Sequence, residues 1–457
     1  MRKITTLLIA TLGLSVAAVS ASAANLVLVN LDPAGTGLND LTPATPVGGN
    51  PGTTVGEQRV NVYNYAAQLW GAVLDSDVDI FVGATFQPLP CAPTGGVLGA
   101  AGPTYVFSDF PGAEYPATWY TSAQADAVSG TDLVADIDII SFFNSDIDDD
   151  DPNCLAGTSW YYGFDNLEDG DIDFLTVVMH EIAHGLGNLE LVSEATGAVF
   201  AGQDDIYMKF MYDRTTGKYW DEMDDAERLA SQVNSENLVW AGEAVTNAAP
   251  DFLGPRPSMQ ILNPESSAGS YEVQTASFGP ALTEGGGMTG KMVMAEPNIA
   301  CGGPLQNNVS GKIVVIDRGA CTFVEKVFWA QVGGAKGAII ANNQPLGRAP
   351  MGGSADFITI PSVGVSLADG DLIKSGLFPS SVVKLILDAE FQAGSSPEGQ
   401  VRLNAPNPVQ PGSSKSHWDP SASPNLLMEP SINSDLESAT TQDLTPYLFE
   451  DIGWPLQ

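Results

Sequence analysis

Histidine is nearly missing from this sequence: 457 residues contain three, His180, His184 and His417. A chain so poor in imidazole has no material for two separate histidine-built metal sites. Cations are scarce as well, with 18 Lys plus Arg against 55 Asp plus Glu and a net charge of -37. Such a surface repels phosphate backbones and anionic lipid headgroups, which excludes nucleic acid as a partner. After the first two dozen residues no apolar run is long enough to cross a bilayer. Cysteine is limited to four residues, Cys91, Cys154, Cys301 and Cys321, an even count that leaves no spare thiol if all are paired.

What is present begins with an address. Arg2 and Lys3 precede an apolar stretch from Leu7 to Val19 and the small-residue site Ala21-Ser22-Ala23, the pattern of a secretory signal peptide over residues 1–23. Cleavage there predicts a protein exported from a bacterial cell, to the extracellular space or the periplasm, with no membrane attachment left. Losing Arg2 and Lys3 takes the net charge to -39. Acidity of this size reads as a solubility device rather than a substrate signal. Export to an oxidising compartment suits two disulfides. Three pairings are open, and chain order favours Cys91 with Cys154 and Cys301 with Cys321.

The length exceeds one ordinary compact core, so more than one folded unit is expected. Thr54-Val55-Gly56-Glu57 has the pattern of a capping box, and Val62, Ala66, Leu69 and Val73 follow at helical spacing. Strands are predicted at Val78–Val82 and within Leu133–Phe143. A second helix opens after Asp173, carries Leu175, Val178, Met179 and Ile182, and stops near Gly185 or Gly187. Leu175 and Met179 read as core packing. Pro, Gly, Ser and Asn cluster between about Pro250 and Pro264 and again from Gln392 to Ser416, as in linkers. Between these breaks, Lys312–Ile316 and Gly337–Ala341 read as strands flanking a helix over Thr322–Val332, a small α/β unit. A last short helix near Asp443–Trp454 places Leu444, Leu448 and Ile452 on one face. The chain therefore divides into 24–255 and 396–457 as two parts of one mixed α/β domain, interrupted by an α/β insert at 256–395.

The chemistry is concentrated in His180-Glu181-Ile182-Ala183-His184-Gly185-Leu186-Gly187. Residues four apart share one face of a helix, so both imidazoles can reach one Zn²⁺ while Glu181 borders the same spot. A catalytic zinc takes three protein ligands and keeps one position open. The third ligand must come from elsewhere, and both Glu190 and His417 are candidates.

The extended form HExxHxxG resembles the metzincin group of zinc endopeptidases, with Gly187 at the glycine that turns the chain after the helix. Where short-spaced metzincins place their third histidine, this chain has Glu190. Farther on, Ser416-His417-Trp418-Asp419 and Asn425-Leu426-Leu427-Met428-Glu429-Pro430 are similar to leishmanolysin, in which a large insertion separates the helix from the last histidine and a methionine turn follows. That resemblance implies His417 as third ligand, Met428 as a hydrophobic floor, a zincin-type α+β fold with a mixed sheet, and protein or peptide substrates. It also implies water-driven hydrolysis with Glu181 as general base and then acid. Gly311–Phe323, Gly333–Asn343 and Ile360–Val363 resemble the protease-associated domain, a non-catalytic module that modulates substrate access in secreted peptidases. In that module Cys301 and Cys321 would form a local staple.

Two acidic clusters, Asp146 with Asp148–Asp151 and Asp165, Glu168, Asp169, Asp171 with Asp173, raise calcium as a second metal, although neither has EF-hand spacing. Two other readings stand beside the endopeptidase. One is a secreted binding or adhesive protein with a vestigial or structural zinc site; the other is a zinc amidase or exopeptidase.

Overall fold

The computed structural model of the chain describes residues 23–148, 151–345, 347–375, 381–432, 436 and 443–457. Residues 1–22, on which the signal-peptide reading falls, and Asp149 and Asp150 of the first acidic cluster lie outside the described residues. Among the described residues no helix is long and apolar enough to cross a membrane.

The chain enters the body through strand β1 (Leu26–Asn30) and helix α1 (Val55–Gly71), followed by β2 (Ile80–Gln87), β3 (Gly99–Pro103) and β4 (Ile139–Asn144). These strands form one mixed sheet in the order β1-β2-β4-β3, with β3 antiparallel to β4 at one edge. Helix α1 is capped by Thr54, whose side chain accepts from the Glu57 backbone N–H. The expected return arm of the capping box differs: Glu57 Oε2 accepts from the backbone and hydroxyl of Thr53 instead, at 2.8 Å each. Val62, Tyr63, Ala66 and Trp70 bury the inner face of α1, while Val73 lies beyond its end.

Two strand expectations need their limits moved. The first strand starts at Ile80, not Val78, and runs on to Gln87, because it pairs with β1 and β4 along its whole length. The second starts at Ile139, not Leu133. Asp138 takes the Phe81 N–H on its side chain and the Thr104 N–H on its carbonyl, bonds that end the irregular stretch before it.

Helix α2 (Phe174–Leu186) lies against this sheet and is apolar nearly all round, so it is a buried core helix. Its first residue, Phe174, touches the rings of Phe86, Phe143, Trp160 and Tyr162 at 5.0–5.4 Å between centroids. Asp173 caps it, accepting from the Leu175 and Thr176 N–H groups. Disulfide Cys91–Cys154 ties the loop beyond β2 to the stretch before α2.

The inserted segment forms its own sheet. Strands β5 (Pro255–Asn263), β6 (Gly269–Glu272), β7 (Gln274–Thr275), β8 (Met288–Met294), β9 (Ile313–Asp317), β10 (Gly337–Ala341), β11 (Ser362–Val365) and β12 (Val382–Gln392) line up as β6-β5-β12-β8-β9-β10-β11-β7. The run β8-β9-β10-β11 is parallel, and Ile313, Val314, Val315 and Ile316 are buried on both faces, as central parallel strands require. One face is covered by helix α3 (Phe323–Val332) through Val327 and Ala330; the other packs on Val383 and Leu385. Thr322 caps α3, and the Cys301–Cys321 disulfide lies just before it. Pro255 pairs with Gln392, so the chain enters and leaves this module side by side.

The return segment then rejoins the body. Val401 accepts from the Trp240 N–H, Leu403 donates to the Leu238 carbonyl, and helix α4 (Thr445–Asp451) buries Leu444, Leu448 and Ile452 in the body core.

Candidate metal centre

Helix α2 presents His180 and His184 one turn apart. The return segment brings His417 to the same point. The three Nε2 atoms are 3.1 Å (His180–His184), 3.1 Å (His180–His417) and 3.2 Å (His184–His417) apart. Zn–N bonds of about 2.0–2.1 Å at tetrahedral angles put ligand nitrogens roughly 3.3 Å apart, so the spacing fits one zinc ion.

The tautomers follow from the partners on the far side of each ring. Nδ1 of His180 donates to the Leu427 carbonyl at 2.7 Å, and Nδ1 of His184 donates to the Asn188 carbonyl at 2.8 Å. Nδ1 of His417 lies 3.5 Å from the Ser416 hydroxyl. A carbonyl only accepts, so in the neutral rings of His180 and His184 the proton sits on Nδ1 and Nε2 carries a bare lone pair. Burial drives the His180 pKa down to about 4 and, with His180 adding to the effect, that of His184 to about 3; His417 is held well below the usual range by burial and its two neighbours. Three uncharged imidazoles therefore face one another in a buried pocket, a donor set that suits a cation.

Glu181 is the next residue on the helix and is buried. Its carboxylate accepts from the Ala101 backbone N–H, while Oε2 has no protein partner. Burial raises its pKa to about 8. Strand β3 passes so close that a Cβ on Gly99 would lie 2.9 Å from Glu181 Cγ and Oε1, so only glycine leaves the carboxylate room. Gly187 ends α2 at φ +129, and a Cβ there would also meet Ile452 Cδ1 at 2.9 Å. Met428 is fully buried, and its carbonyl accepts from the Trp418 N–H, which joins the turn at Met428 to the residue after His417.

Glu190, the other candidate ligand, is not in the cluster. It forms a buried ion pair with Lys415 at 3.0 Å, and its Oε2 accepts from the Val192 N–H at 2.5 Å. Among the described residues the three histidines are the single group of metal-type donors that converges. Among the described residues, several carboxylates of the acidic clusters bind the chain itself. Asp148 pairs with Arg59 at 3.0 Å, Asp165 accepts from the Tyr161 hydroxyl, Asp171 from the Ser159 N–H, and Asp173 caps α2.

Several parts of the site left no mark in the sequence. Gly99 and Ala101 sit in a Gly-Ala-Ala-Gly-Pro strand with no strand-forming composition. Leu427, Asn188, Asp443 and Lys415 act through backbone or ion-pair contacts across the fold. The one available signal was the nearness of Leu427 to Met428.

Residues 288–373 match the family model of the PA domain. Similar proteins include vacuolar-sorting receptor 2 of Arabidopsis thaliana, 30% identical over 169 residues (33% of this chain and 27% of that protein). Leucine aminopeptidase 2 of Arthroderma otae is 41% identical over 91 residues, 19% of this chain and 18% of that one. Among solved structures, BSAP, a zinc aminopeptidase from Bacillus subtilis, matches with a TM-score of 0.23 and 26% identity over 30% of this chain and 31% of that one. The chain thus spans well under a third of the curated relatives named. A sorting receptor and a peptidase differ in what their names say they do, and the inserted segment is where a PA domain is found in this chain.

Proposed function

We propose that this chain is an exported zinc-dependent peptidase that cuts internal peptide bonds, of metzincin type, with His180, His184 and His417 as ligands and Glu181 as general base and acid. The observation that carries the reading is the meeting of three imidazole Nε2 atoms within 3.2 Å beside a buried carboxylate.

When bound, zinc supplies Lewis acidity, acidifying water and polarising a carbonyl. The chain's own residues do the rest. The Leu427 and Asn188 carbonyls hold the His180 and His184 rings in the tautomer that leaves Nε2 free to bind. Glu181, steadied by the Ala101 N–H, takes a proton from the attacking water on Oε2 and delivers it to the leaving amine nitrogen. No covalent acyl intermediate is needed. Protein or peptide is the substrate class, and the PA module modulates access to the site.

Among the described residues no fourth protein donor joins the histidines, which favours an open catalytic site over a closed structural one. Many aminopeptidases use two neighbouring metals, and only one donor group converges here among the described residues. Calcium finds no gathered carboxylates among those residues and is not part of the proposal.

The test pairs denatured casein with an aminoacyl p-nitroanilide, each with and without 1,10-phenanthroline. Internal cleavage of casein that the chelator abolishes is expected. Turnover of the anilide alone would make the enzyme an exopeptidase, and chelator-insensitive activity would overturn the zinc mechanism.

A further inference from the structure

The short loop after α2 and the segment that carries His417 are tied by two contacts. Asn188 Nδ2 donates to the Ser416 carbonyl at 2.7 Å, and Glu190 pairs with Lys415 at 3.0 Å. The Lys415 side chain is 0% exposed and that of Glu190 8%. Around them stand Asp205, which accepts from the Leu191 and Met208 N–H groups, and Tyr207, whose hydroxyl donates to the Lys415 carbonyl at 3.4 Å. Lys415 itself has φ 76, a left-handed conformation uncommon for a residue with a long side chain, and its N–H donates to the Asn404 carbonyl.

A buried ion pair is a poor way to gain stability. Removing two charges from water is expensive, and apolar residues of similar volume often do as well or better. What an ion pair adds is a demand for one geometry, since displacing either partner leaves a buried charge alone. Here that geometry fixes the residue two before His417 against the residue three past Gly187.

We propose that Glu190 and Lys415 form a latch that places His417 opposite His180 and His184, making both positioning residues for the metal centre. The latch rests on the reading of the three histidines as zinc ligands. His417 arrives from a segment without helix or strand of its own, so this tie and the Asn188–Ser416 bond set its approach to α2.

The test is zinc affinity of the full-length apo-protein, measured by competition with a chromophoric chelator, alongside its melting temperature. Glu190→Gln and Lys415→Met should each lower both, with affinity falling about tenfold or more. In the double variant Glu190→Met/Lys415→Met the melting temperature should return close to wild type while zinc binding stays about tenfold weaker. Glu190→Asp, which keeps the charge and shortens the reach, should bind zinc more weakly than wild type and serves if the double variant does not fold. Wild-type affinity in the double variant, or in Glu190→Asp, would overturn the latch alone. Failure of the wild-type protein to bind zinc would overturn the ligand reading and the latch with it.

Discussion

Nε2 of His184 and Nε2 of His417 lie 3.2 Å apart although 233 positions separate them in the chain. Between them runs the whole inserted module, which Pro255 and Gln392 close by pairing side by side. The contact depends on the return segment docking on the body: Trp240 donates to the Val401 carbonyl, and Leu403 to that of Leu238. An ion network spans the same seam, with Glu272 of the module holding Arg402 of the return segment at 2.6 Å and Arg348 of the module holding Glu236 of the body at 3.1 Å.

Glu181→Gln keeps the size of the side chain and removes its basicity. The variant should retain zinc and lose about 10²-fold or more of its casein hydrolysis, the usual scale for a general base. Metal analysis beside a turnover assay checks this. Activity within a few-fold of wild type would remove Glu181 from the mechanism.

Asp443 acts on the site through a chain of two bonds. It accepts from the Leu427 N–H, and the Leu427 carbonyl accepts from His180 Nδ1. Asp443→Ala should loosen the turn at Leu427, release His180 from its tautomer and weaken zinc binding about tenfold. Chelator competition reads the change, and unaltered affinity would show that the turn holds its shape without this carboxylate.

Asp138 carries a pH dependence. Burial, then the neighbouring Asp126 and Asp132, raise its pKa from 3.8 to about 7, against the Phe81 N–H that lowers it. The folded state therefore favours the proton more than the unfolded state does. The stability this adds is full below about pH 3.8 and is lost as pH rises through about 7. Asp138→Asn removes the titration, so its melting temperature relative to wild type should climb from pH 4 to pH 8. Parallel curves for the two proteins would contradict the assignment.

The two disulfides should differ in weight. Cys91 and Cys154 close a loop with a separation of 63 residues, Cys301 and Cys321 one of 20. Chain entropy assigns about 4 kcal/mol to the first and about 3 kcal/mol to the second. Paired Cys→Ser variants, compared by denaturant unfolding, should rank in that order. A larger loss from the 301/321 pair would show native-state effects outweighing loop length.

Much of this was legible in the sequence where a signal is local. Asp173 before an apolar run and Gly187 after it mark both ends of α2, and Lys312–Ile316 with Gly337–Ala341 reads as a pair of buried strands. The partners that shape the site are not local. Strand β3 has no propensity of its own and exists because β4 pairs with it and α2 packs beside it. Lys415 gives no sign that it faces Glu190, since 224 residues of intervening chain must fold first. Glu190 stood as a ligand candidate because its spacing was right, and spacing along a chain says nothing about a cation brought in from the far end.

The central claim is that three histidines from two distant segments hold one zinc ion, and zinc titration of the apo-protein against its His417→Ala variant tests it most directly. One zinc per wild-type chain, with affinity reduced about 100-fold or more in the variant, is the predicted result. Equal stoichiometry and affinity in the two proteins would contradict it.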